Sequence, residues 1–251
     1  MLPAVYVFDR WISMYWVSAA VGIVFAYALA MLRARSGRFR TPGRHVFFTM
    51  MVMVIGGRIG GVVFKAIGHI FLYASVPGFW TIRNWTVILR SGGVFYGGLI
   101  IGFLAALAYI RIMKLDLRDV ADILTPSVPL FLVFGRVGCF LAGCCYGRAW
   151  GIMPNGLFPV QLLEAAFNLL IVVEMLRLRP ERERPGILLP MYFGVYAVGR
   201  FIIEFMRGDA HRGVYLLSTS QWISLAILFV LTAIFLVKRR KRGQRLRAPS
   251  T

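Results

Sequence analysis

LLPMYFGVYAVGRFIIEFMRGD, residues 188–209, is an apolar run of bilayer length with ionisable side chains set into it. Tyr196, Arg200, Glu204 and Arg207 follow one another at +4, +4 and +3. At about 100° per residue they fall within one narrow face of a helix. A charged side chain at bilayer depth costs about 2.5–3.5 kcal/mol on insertion scales, so such a stripe lines a cavity or a helix contact and not lipid. One such helix requires others around it.

The rest of the chain supplies them. Apolar runs of the same kind fall near Ile12–Leu32, Val46–Phe64, Val94–Met113, Val120–Gly143, Phe158–Leu176, Ile187–Met206 and Thr219–Val237. The expected fold is therefore an all-α integral membrane protein, a polytopic bundle of about seven transmembrane helices forming a single domain over residues 1–251. Between the second and third runs lies a wetter stretch, about Lys65–Ser91, whose Trp80 and Trp85 suit a headgroup belt; it reads as interfacial or re-entrant. The first run is too long for a signal-peptide core and lacks a small-residue cleavage pattern, so it reads as the first span.

Of the 251 residues, 59% are hydrophobic and 16% charged, well below the charged fraction of a soluble domain. The net charge of +19 invites comparison with nucleic-acid binders, but the basic residues cluster between apolar runs, as those of cytoplasmic loops do. No nucleic-acid partner is expected. With the N-terminus outside, nineteen lysines and arginines fall on the inner side against seven outside, while Arg58, Arg136 and Arg200 lie within spans. This predicts an N-out, C-in topology, with a basic cytoplasmic tail over residues 238–251 lying against anionic membrane lipids.

Arg58, Arg136 and Arg200 are expected to turn inward, with Glu164 and Glu204 as partners. Three guanidiniums over two carboxylates leave a positive surplus suited to an anionic ligand such as a phospholipid headgroup. Gln161, Glu164 and Asn168, at +3 and +4, form a second polar stripe. Gly56-Gly57-Arg58-Ile59-Gly60-Gly61 brackets one arginine, and Gly92-Gly93-Val94-Phe95-Tyr96-Gly97-Gly98 brackets a tyrosine. Both runs have the small-xxx-small spacing of close helix packing, and packing alone would account for the glycines. The run Gly135-Arg136-Val137-Gly138-Cys139-Phe140-Leu141-Ala142-Gly143-Cys144-Cys145-Tyr146-Gly147-Arg148 is dense enough in glycine to break the fourth span and offer backbone N–H groups to an anion.

That run resembles the signature of the bacterial prolipoprotein diacylglyceryl transferase family, G-R-x-G-N-F-x-N-G-E-x-x-G-R. The resemblance extends to GGRIGGVVF at 56–64, the glycine–tyrosine stretch at 92–99, PVQLLE at 159–164, YAVGRFIIEFMRGD at 196–209 and LSTSQ at 217–221. It implies a transferase of lipoprotein biosynthesis in the bacterial inner membrane. Such an enzyme moves the diacylglyceryl group of phosphatidylglycerol to the lipobox cysteine of a preprolipoprotein signal peptide and releases glycerol 1-phosphate. By the same resemblance Tyr96, Arg136 and Arg200 are the candidate catalytic residues. Arg58, Gly97, Gly98, Gly138, Gly147, Gln161, Glu164, Tyr196 and Glu204 are the candidates for substrate binding.

The departures are specific. Tyr96 stands where the family has a histidine, Cys139 and Ala142 where it has asparagines, Cys144 where it has glutamate, Phe158 where it often has histidine, and Ala19 where it usually has tyrosine. Cys139, Cys144 and Cys145 are open to four readings: inert buried thiols, a disulfide, a metal site or a functional thiol. No metal and no cofactor is expected, since no histidine lies within ligand spacing and C-x4-C-C is not a zinc pattern. The alternatives to the transferase are a paralogue with the same donor and a different acceptor, and a lipid- or anion-binding membrane protein without catalysis.

Overall fold

The computed structural model describes residues 4–7, 10–73, 75, 80–81, 85–86, 95–149, 156–208, 213–214 and 216–247. The chain is a multi-pass helical membrane protein. Two short antiparallel strands, β1 (Ala4–Val7) and β2 (Arg10–Ser13), precede α1 (Met14–Ala34). Then follow α2 (Gly43–Tyr73), α3 (Phe95–Ile112), α4 (Leu117–Leu124), α5 (Ser127–Ala142), α6 (Val160–Leu178) and α7 (Leu188–Ile203). A two-residue ladder of β3 (Gly213–Val214) and β4 (Leu217–Ser218) leads into α8 (Thr219–Arg247). Among the described residues five helical stretches are long and apolar enough to cross a membrane: Met14–Ala34, Gly43–Tyr73, Leu117–Ala142, Leu188–Met206 and Thr219–Arg240. Two further expected spans fall on α3, whose apolar stretch Gly97–Ile112 is shorter, and on α6, which carries Glu164, Glu174 and Arg177.

Several boundaries differ from the sequence expectation, each for a local reason. The second run continues as helix to Tyr73, so the start of the wetter stretch, with Lys65 and His69, belongs to α2. Most of the remaining stretch to Ser91 lies outside the described residues. The fourth run is two helices, because Pro126 lacks an N–H and crowds the preceding turn. The last helix runs ten residues past Val237 into the basic tail. Lysine and arginine are good helix formers, and near a helix C-terminus their charge complements the dipole.

The chain divides into two compact units, Met1–Ala30 with Leu124–Thr251, and Met31–Ile123. In the second, α2 and α3 pack along their glycines. A Cβ added at Gly98 would lie 2.7 Å from the Gly57 carbonyl oxygen, and one at Gly102 2.7 Å from that of Met53. The glycine runs are therefore spent on backbone-to-backbone packing, where any side chain would force the helices apart. The basic turn after α1 is tied to α4: Arg33 Nη2 donates to the Asp122 carbonyl at 3.0 Å, and Thr41 donates from both its N–H and Oγ1 to Asp119 Oδ2 at 2.7 Å.

In the first unit, α5 packs on α6, and α7 on α6 and α8. Residues Ile171, Met175, Leu188 and Tyr192 form an apolar core, with Phe167 and Tyr196 against it. The start of α8 is fixed by a reciprocal cap: the Ser218 N–H donates to Gln221 Oε1 at 2.9 Å, and the Gln221 N–H to Ser218 Oγ at 3.2 Å. This capping box accounts for the LSTSQ stretch.

Candidate active site

Glu164, on the first turns of α6, is the hub of a buried ionic cluster. Its Oε1 accepts from Arg200 Nη1 and, at 3.3 Å, from Arg207 Nη1, while Oε2 pairs with Arg136 Nε at 2.5 Å. Arg200 Nη2 reaches Glu204 Oε2 at 2.6 Å and Ser220 Oγ at 3.3 Å. Glu164, Arg200, Glu204 and Arg207 are all buried. The side chain of Arg136 keeps 20% of its surface exposed, against 9% for Arg200 and 3% for Arg207. Desolvating five charged groups is costly unless each is paired, and here one carboxylate serves three guanidiniums.

The two sequence stripes meet in this cluster. Tyr196, half-buried on α7, stacks obliquely on Tyr192 one turn below Arg200. Gln161 Nε2 donates to the Cys144 carbonyl at 2.7 Å, and Asn168 Nδ2 to the Glu164 carbonyl at 2.8 Å. Among the described residues, Gln161 Oε1 and Asn168 Oδ1 are buried without a hydrogen-bond partner. These two acceptors stand beside the cluster at the positions the +3, +4 spacing assigned.

Arg207, which the topology count places among the seven outside residues and the helical spacing places on the polar stripe, is a buried member of the cluster. The helix stops at Ile203, a 3-10 turn covers Glu204–Met206, and Arg207 is extended with φ −77° and ψ 142°. An antiparallel bridge to Gly147 holds it there, with the Arg148 N–H donating to the Met206 carbonyl at 2.9 Å. The +3 step from Glu204 was the available signal. Arg58, midway along α2, is exposed and is not among the buried charges. The side of α2 that faces α3 is taken by Gly56 and Gly60, which leaves no room there for a guanidinium. The interior surplus therefore belongs to Arg136, Arg200 and Arg207.

The signature run also behaves differently from the expectation. Helix α5 continues through Gly135 and Gly138 to Ala142, and only Gly143 breaks it, in the left-handed region at φ 72°. Its N–H donates to the Phe140 carbonyl at 3.2 Å and that of Cys144 to Cys139 at 3.1 Å, the pairing of a Schellman turn. Further along, the Gly147 N–H donates to the Phe158 carbonyl at 3.0 Å and the Arg148 N–H to that of Met206 at 2.9 Å. A helix C-terminus presents carbonyls, and the arginine side chains beside it carry the positive charge an anion would meet. Gly138 admits α1, where a Cβ would come within 3.0 Å of Ser18 Cβ, and Gly147 sits against the Phe158 and Met206 carbonyls. Gly97 and Gly98 lie in the α2–α3 contact. The side chain of Tyr96, with Gly92 and Gly93, lies outside the described residues.

The Cys139, Cys144 and Cys145 thiols are free, and their sulfurs lie within 4.8 Å of one another. The Cys145 thiol is pulled below the ordinary thiol range by a hydrogen bond from Cys139 and by the Arg207 guanidinium. Burial and the neighbouring Cys145 push Cys144 up.

Comparison with known proteins matches this arrangement to one family. Residues 4–237 match the family described as prolipoprotein diacylglyceryl transferase. The chain is 32% identical over 246 residues to the phosphatidylglycerol–prolipoprotein diacylglyceryl transferase of Clostridium tetani, covering 92% of this chain and 96% of that protein. It is 30% identical over 249 residues to the protein of the same name from Geobacter sulfurreducens, covering 93% of each. A second such transferase of Clostridium perfringens is 30% identical over 238 residues, covering 88% of this chain and 89% of its own. With its buried arginine–glutamate cluster and a match over nearly its whole length, the chain belongs to the prolipoprotein diacylglyceryl transferase family.

Proposed function

We propose that this chain transfers the diacylglyceryl group of phosphatidylglycerol to the lipobox cysteine thiol of a preprolipoprotein, in the bacterial inner membrane. The observation that carries this reading is the cluster itself: three guanidiniums around one buried carboxylate, with a formal surplus of one positive charge after Glu204 is counted. A phosphodiester headgroup has the charge and the paired oxygens to fill that deficit.

The 20% exposure of Arg136, the most exposed of the three, supports its meeting the phosphate, while Arg200, paired with carboxylates through both terminal nitrogens, would fix the geometry. The unpartnered oxygens of Gln161 and Asn168 are suited to accept from headgroup hydroxyls. In the reaction a thiolate sulfur bonds to the diacylglycerol carbon as that carbon's bond to the phosphate-ester oxygen breaks. The electron pair leaves on glycerol 1-phosphate, and the arginines stabilise the growing negative charge. Tyr96 is assigned to orienting or deprotonating the thiol, and Arg58, Gly97, Gly98, Gly138 and Gly147 to shaping substrate access, on the family resemblance. An N-out, C-in orientation puts the basic end of α8 in the cytoplasm.

The test is a lipobox peptide incubated with the purified protein and phosphatidylglycerol vesicles, read by mass spectrometry. A diacylglyceryl thioether on the peptide cysteine is expected. Turnover of lipid without peptide would favour a different acceptor, and binding without turnover a lipid-binding protein.

A further inference from the structure

Beside the arginine cluster lies a second chemical feature that the transfer reaction does not use. Cys139 is buried in the last turn of α5, Cys144 is exposed and Cys145 is half-buried. The left-handed turn at Gly143 folds the chain back, so that Cys144 Sγ lies 3.6 Å from the Cys139 carbonyl and all three sulfurs gather within 4.8 Å. The linear spacing C-x4-C-C conceals this convergence.

We propose that Cys139, Cys144 and Cys145 form a three-sulfur binding site for a soft, thiophilic metal cation. Three thiolates about 2.3 Å from a common trigonal centre lie about 4.0 Å apart, a closure the side chains reach by small rotations. A disulfide would need only two of these sulfurs, whereas a three-coordinate ion uses all three. Thiolates select soft ions such as Cu(I) and Cd(II) over the hard, oxygen-seeking Mg(II) and Ca(II). Three thiolates outweigh the charge of a mono- or divalent cation, so the loaded site is a net anion, and the Arg207 guanidinium beside Cys145 offsets it. Binding forms three metal–sulfur bonds, releases the remaining thiol protons to water and moves no electrons. The exposed Cys144 supplies the path in.

The site is tied to the loop that borders the ionic cluster. Gln161 holds the Cys144 carbonyl, and Gly147 pairs with Arg207. A bound ion would fasten this loop and raise the melting temperature of the protein. None of this depends on which acceptor the enzyme uses.

The experiment is an anaerobic titration of reduced, chelator-stripped full-length protein in detergent with Cd(II), and separately with Cu(I). One ion per chain, sulfur-to-metal charge-transfer absorption and X-ray absorption spectra fitting three sulfurs are expected. Each of Cys139→Ser, Cys144→Ser and Cys145→Ser should weaken binding by roughly 100-fold. Absence of one-to-one binding, fewer than three sulfurs around the ion, or one well-folded serine variant with unchanged affinity would overturn the proposal. Where a variant fails to fold, the sulfur count of the unmodified protein decides.

Discussion

Replacing Glu164 by glutamine keeps the shape of the hub and removes its charge. In the native cluster both carboxylate oxygens are engaged, Oε1 by Arg200 and Arg207 and Oε2 by Arg136 at 2.5 Å. The side chain is only 3% exposed, so water cannot replace the lost charge. An amide offers one acceptor oxygen and turns an N–H toward a guanidinium, leaving three buried cations with Glu204 alone. Breaking a buried ion pair from one side costs about 3–5 kcal/mol. For a chain of this size each kcal/mol moves the melting temperature by about 2–4 °C, so Glu164→Gln should lower it by about 6–20 °C. Intrinsic-fluorescence melting in detergent reads this directly, with Glu174→Gln, half-exposed and paired only loosely with Arg177, as the control. A melting temperature within 2 °C of the unmodified protein would show that the cluster does not depend on Glu164.

Arg200→Lys should lose most turnover while keeping its charge, because an ammonium cannot bridge Glu164 and Glu204 as the planar guanidinium does; near-normal activity with the lipobox peptide would remove Arg200 from the catalytic assignment. Tyr96→Phe should cut turnover by roughly 10²–10⁴ with lipid binding preserved, the range of general acid–base assistance; an unchanged rate across pH retires the proton-transfer role. Labelling of a single cysteine placed beyond Arg247, in a variant with the native thiols replaced, should find it protected from impermeant reagents in intact cells. Labelling from outside would invert the assigned topology.

How much of this was legible beforehand follows from what is local and what is not. Apolar runs of bilayer length mark helices because the bilayer requires internally satisfied backbone, and the +4 spacing of Tyr196, Arg200 and Glu204 survives into α7 and the turn after it. Gln161, Glu164 and Asn168 share the buried side of α6 as their spacing implied. Arg207 keeps its place on the polar face of α7 although the helix ends before it, held by a bridge to Gly147, 60 residues away in sequence. Arg58 sits between glycines that take up the α3-facing side of α2, and its own side chain stays exposed. The thiol cluster was hidden by a Schellman turn, which a glycine four residues after Cys139 hints at only once the helix end is known.

If the arginine cluster receives the phosphate of a phospholipid and releases it as the sulfur bond forms, the two products must appear in fixed stoichiometry. Glycerol 1-phosphate released and thioether formed on a lipobox peptide are measured together, for the unmodified protein and for Arg136→Gln. One phosphate product per thioether is expected in the unmodified protein, and loss of both products together in the variant. Thioether formation at an undiminished rate by Arg136→Gln, or phosphate release that does not track the thioether, would contradict it.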